Sequence, residues 1–152
     1  MDTTLQTLIK LQEVDRVILD IQKKIDEFPK IMQQLDKQLS DSEHNIEQLQ
    51  ASIEEQEKIR RSKERDIETN IEQIKKYQGQ LLQVKTNKEY SALLMEIKGL
   101  KAKNSLTEDD ILELMESIER ASKALASSQQ ELGQIRTRVQ QEKQQREVEE
   151  VA

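Results

Sequence analysis

The chain reads as all-α, a long antiparallel two-helix coiled-coil hairpin, and three observations point there. Charged residues make up 36% of its 152 residues, while the apolar fraction is 34% and the aromatic fraction 2%. That is too little apolar material for a globular core of this length, but enough for a narrow seam between helices. Only three Gly and one Pro interrupt the sequence. The apolar residues recur in steps of three and four, the spacing of a coiled coil.

From Leu11 the first seam runs through Val14, Ile18, Ile21, Ile25, Phe28, Met32, Leu35, Leu39, Ser42, Ile46, Leu49 and Ile53. The same phase continues through Gln56, Arg60, Lys63, Ile67, Asn70, Ile74, Tyr77, Leu81 and Val84, so the seam turns polar between Gln56 and Lys63. That stretch is expected to be the loosest. Pro29 leaves the phase unchanged, which predicts a first helix kinked near Pro29, or two helices end to end sharing one face.

A second seam begins at Tyr90 and runs through Leu93, Ile97, Leu100, Asn104, Thr107, Ile111, Leu114, Ile118, Ala121, Leu125, Ser128, Leu132, Ile135 and Val139. The first register requires a core residue at Lys88, two residues before the second register starts. A continuous coiled coil absorbs insertions of three or four residues, not of two. The helix is therefore expected to break, with a tip near residues 85–88. Thr86 followed by Glu89 has the form of a capping box that opens a new helix, and Asn87 tolerates turn geometry. A weaker candidate break lies at Asn104–Asp110, where Thr107 and Asp110 have capping chemistry but the heptad does not change phase.

One hairpin domain over residues 1–152 follows, with an N-terminal helical segment at 3–28, a first arm at 30–84 and a second arm at 88–148. Folding at the tip pairs residues whose numbers add to about 174. Val84 then meets Tyr90, Tyr77 meets Ile97, and Ile74 meets Leu100. Asn70 falls opposite Asn104. Two core amides that satisfy each other would make neighbouring registers costly, the register-setting reading; the bland reading is two tolerated polar residues.

At the open end, Leu8, Leu11, Val14, Ile18 and Ile21, joined by Leu5, Ile9 and Val17, form a stripe broader than a two-helix seam. This predicts a docking face at residues 5–21 for a partner, a second copy in a weak dimer, or a further domain; folding back onto the hairpin is the competing reading. The last turns place Glu142, Arg146 and Glu149 at core positions and are expected to fray. Lys58–Lys103 holds 12 basic and 6 acidic residues, a net of +6, which leaves −12 for the remainder of a chain whose total is −6. The tip half is thus basic. Lys85, Lys88 and Glu89 are the candidate partner-binding residues there, with an acidic protein surface as the expected partner.

Nucleic acid along the basic half is the second reading, and a purely structural spacer or dimeric rod the third. Against nucleic acid stand the scarcity of stacking aromatics and the lack of a binding motif. Against the rod stands the phase change. Catalysis is not expected: carboxylates such as Glu108, Asp109 and Asp110 lack a water-excluding pocket that would tune them, and no phosphate loop, His cluster or nucleophile motif is present. With no Cys and one His, His44 on the outer face, no cofactor or metal site is expected in this chain. No apolar run reaches the roughly 18 residues of a membrane span, and no signal peptide opens the sequence, so a cytoplasmic location is expected.

The stretch VKTNKEYSALLMEIKGLKAKN followed by LTEDDILELMESIE, together with the opening LIKLQEVDRVILDIQKKIDEFP, resembles a bacterial family that joins a coiled-coil hairpin to a C-terminal four-cysteine zinc ribbon. That family includes chlamydial and Helicobacter proteins associated with type III secretion, transcription and flagellar assembly. The resemblance covers nearly the whole chain and is most specific at KTNKEYSALLMEI. It implies a bacterial adaptor that brings export or transcription components together. The zinc ribbon is absent from this sequence, so zinc binding does not carry over.

Overall fold

A computed structural model describes the backbone of residues 2–151 and the side chains of residues 2–148. Two helices account for nearly all of it: α1, Asp2–Leu81, and α2, Asn87–Val151. They pack against each other as a helical hairpin, with no strand among the described residues.

Helix α1 stays helical through Pro29. Proline removes one backbone hydrogen bond and crowds the carbonyl four residues earlier, which bends a helix without having to end it. Of the two arrangements expected at Pro29, a single helix is the one present, and α1 ends three residues before the expected 84. Leu82–Thr86 forms the turn, overlapping the expected tip at residues 85 and 86.

The turn satisfies the helix ends locally. Gln83 N–H donates to the Gln80 carbonyl at 3.0 Å and Val84 N–H to the same carbonyl at 3.2 Å. Thr86 caps α2: its Oγ1 accepts from the Glu89 N–H at 3.2 Å, and its carbonyl accepts from Tyr90 N–H at 3.1 Å. This is why α2 opens at Asn87. The rival break at Asn104–Asp110 does not occur: α2 continues through it, and the Thr107 hydroxyl donates to the Lys103 carbonyl at 2.9 Å instead of capping a new helix.

Side-chain packing divides the chain into two compact units, residues 1–45 with 128–152 and residues 46–127. In the second unit, which carries the turn, Ile46, Ile74, Ile97, Ile118 and Asn104 are buried. Asn70 Nδ2 donates to Asn104 Oδ1 at 2.9 Å, Gln56 Nε2 to Ser117 Oγ at 3.0 Å, and Lys63 meets Asp110 at 3.4 Å. These pairs reproduce the expected register to within one residue.

In the first unit Leu35 is the buried core residue. Asn45 Nδ2 donates to Ser128 Oγ at 3.1 Å, and the Arg146 guanidinium lies 4.4 Å from the centre of the Phe28 ring. The same antiparallel register holds here. The cation over an aromatic face gives a core-position arginine a favourable contact, and α2 remains helical through this polar segment.

Every seam residue from Phe28 to Val84 and from Leu93 to Val139 is buried or half-buried. Tyr90 is the exception: expected to face Val84, it is 46% exposed. It stands in the first turn of α2, where no further layer covers it. The polar stretch is imperfectly satisfied, since Gln56 Oε1 is buried without a hydrogen-bond partner. Arg60 is held by Glu57 at 3.0 Å and only loosely by Glu64, whose oxygen stands 3.6 Å from Arg60 Nε, beyond hydrogen-bond distance.

Because Asn104 is buried, Asn104→Leu alone should orphan the Asn70 amide and cost about 1–3 kcal/mol in urea unfolding. Replacing both by Leu should recover that loss while loosening the register. The cysteine-free chain allows a direct check: disulfide formation between Cys introduced at 74 and 100 should dominate in the parent, and in the double variant a pair one heptad away, at 67 and 100, should also cross-link.

Candidate functional site

The residues that the helices do not use against each other define two candidate surfaces, one in each unit. In the first unit α1 extends its apolar pattern toward the N-terminus, with Leu5, Leu8, Ile9, Leu11, Val14, Val17, Ile18, Leu19, Ile21 and Ile25 all 48–61% exposed. At about 100° per residue, Leu11, Val14, Ile18, Ile21 and Ile25 prolong the seam that begins to be buried at Phe28. Leu8 and Val17 flank it on either side, so the stripe is wider than one partner helix fills. An exposed apolar patch of this extent on a water-facing helix is unusual and marks an interaction site in many proteins.

In the second unit the turn displays Lys85, with Lys88 and Glu89 in the first turn of α2, all exposed. The Glu89 backbone N–H is committed to the Thr86 cap, which fixes the orientation of this first turn. Leu82, in the turn itself, is 90% exposed. Asn70 and Asn104 lie further down the same unit in their mutual hydrogen bond, away from these charges in sequence and committed to the interior.

Seam counting missed a second set of exposed apolar side chains in this unit. Leu94, Met95 and Ile71 lie off the seam, and their exposure ranges from 42% for Ile71 to 75% for Met95. For Ile71 and Leu94 the signal was present in the sequence, because each follows a seam position by one step and widens the stripe to one side; Met95, two steps after Leu93, faces away from the seam. No described group of three or more His, Asp or Glu side chains is arranged to hold a metal ion, and no described helix is long and apolar enough to cross a membrane.

The exposure of the N-terminal face yields a stability test. Leu11→Gln combined with Ile18→Gln should shift the stability of the isolated chain by no more than about 0.5 kcal/mol per site, as for surface substitutions. Leu35→Gln, at a 2% exposed position, should lower it by several times as much. Circular-dichroism melts of the three proteins read the difference.

No curated protein and no solved structure matches the chain. The family model described as the CT398-like coiled coil hairpin domain matches residues 11–152, nearly the entire seam-bearing sequence. With the hairpin, its turn and its register on the same span, the chain belongs to the CT398-like coiled coil hairpin domain family.

Proposed function

We propose that this protein is a non-catalytic adaptor of a bacterial cytoplasmic complex, holding one protein partner at the hairpin turn and another on its N-terminal apolar face. The observation that carries the reading is the run of ten half-exposed Leu, Ile and Val side chains between Leu5 and Ile25. Burying one such side chain fully contributes about 1.5–3 kcal/mol, so covering even part of the face supplies substantial affinity. Leu8, Leu11, Val14, Ile18 and Ile21 are its central residues.

At the turn, Lys85 and Lys88 are solvated charges whose helices do not need them for packing. Charges placed this way favour encounter with an acidic surface and discriminate against basic ones. The resemblance of the KTNKEYSALLMEI stretch to secretion-, flagellum- and transcription-associated hairpin proteins supports components of those processes as the partners. Binding is the activity that these exposed surfaces support.

Lys85→Glu with Lys88→Glu should abolish capture of the turn-dependent partner while leaving the melting curve within about 0.5 kcal/mol of the parent. Affinity purification from the source cell, comparing this variant with Leu11→Gln plus Ile18→Gln, should release different partners. If neither variant releases any partner, the adaptor reading is wrong.

A further inference from the structure

Around α2 near the turn, charge is unevenly distributed. Taking about 100° per residue and Leu94 as origin, Tyr90, Lys101, Lys98 and Met95 fall within roughly 140° of arc. The two glutamates of this segment, Glu89 and Glu96, lie on the other side of the buried seam, where Lys103 also falls. Between residues 73 and 107 the chain carries seven lysines and only these two carboxylates.

The basic and apolar flank is not a property of α2 alone. Ile71, Lys75 and Gln78 of α1 and Lys101 and Ser105 of α2 line one shallow groove between the helices, beside the Asn70–Asn104 layer. Ile71 and Leu94 are both a little over 40% exposed, so apolar surface lies on both walls of this flank. Glu108 stands at the end of the groove farther from the turn. The flank therefore has the pattern of a third-helix site: apolar residues along the line between two helices, with cations on both outer margins.

We propose that this groove binds one acidic amphipathic helix, which lays its apolar stripe against Ile71 and Leu94 and sets its carboxylates over Lys75, Lys98 and Lys101. The charge pattern selects this occupant. A basic helix would face three lysines with Glu108 as the counter-charge at one end of the groove, and an acidic helix on the opposite flank would meet Glu89 and Glu96 with Lys103 between them and the layer of Asn104. The occupant's carboxylates draw it to the groove, and the apolar contacts hold it. This inference rests on the adaptor reading and names the chemistry of the partner on the turn-bearing unit.

The test uses the whole chain and a synthetic four-heptad peptide with Ile and Leu at its seam positions and Glu on their flanks, whose own repulsion opposes self-pairing. Fluorescence anisotropy should show saturable binding that weakens as salt is added. Lys98→Glu with Lys101→Glu should weaken it by about tenfold or more, and Leu94→Gln, off the seam and half-exposed, should weaken it without altering the melt. Glu96→Lys, on the opposite flank, should not weaken it. The matching peptide with Lys for Glu should not bind.

Failure of the acidic peptide to bind overturns the proposal, as does equal binding of both peptides or equal loss on both flanks. Displacement of the peptide by single-stranded RNA at equal or lower concentration also overturns it, by assigning the flank to nucleic acid. If the peptide fails while Lys85→Glu with Lys88→Glu still releases a cellular partner, the groove falls and the adaptor reading stands.

Discussion

A seam between two helices is one side chain deep, and this imposes the constraint on which the remaining structure depends. Each layer is flanked by solvent on both sides, so few residues are buried: five apolar ones among the described residues, each keeping a small exposed fraction. Stability then accumulates from many half-buried layers. A shift of the helices against each other would displace all layers of a unit together. One of these layers is the Asn70–Asn104 bond at 2.9 Å, and a slip of one heptad would break it, setting Asn70 opposite Ile97 or Ile111.

The same shallowness leaves the flanks of the seam available. In a globular core an apolar residue beside the seam would be covered by a third layer, whereas here it stays at the surface. Ile71, Leu94 and Met95 are therefore exposed for the same architectural reason that Leu35 is buried. The polar stretch from Gln56 to Lys63 shows the opposite case: side chains at seam positions that use Ser117, Asp110, Glu57 and Glu64 as partners in place of apolar contact. With Gln56 Oε1 unpaired, this stretch contributes less than its neighbours.

The two surfaces proposed for binding differ in physical type. The face from Leu5 to Ile25 is apolar and broad, suited to tight packing that excludes water. The turn and its flank are cationic with scattered apolar residues, suited to an acidic partner whose approach is guided by charge. An adaptor with surfaces of different character can hold two partners without their competing for one site.

Sequence periodicity alone determined the two seams, the break between them and the antiparallel pairing, because heptad phase is a local property and a two-residue offset leaves few alternatives. The capping role of Thr86 was equally local. The structure decided what depends on more than one helix at once: α1 passing through Pro29, Tyr90 standing exposed for want of a layer above it, Arg146 resting on Phe28, and Ile71, Lys75 and Lys101 meeting along one groove. Periodicity specifies which face of a helix is buried. How far that burial extends, and what gathers at its margins, depends on the other helix.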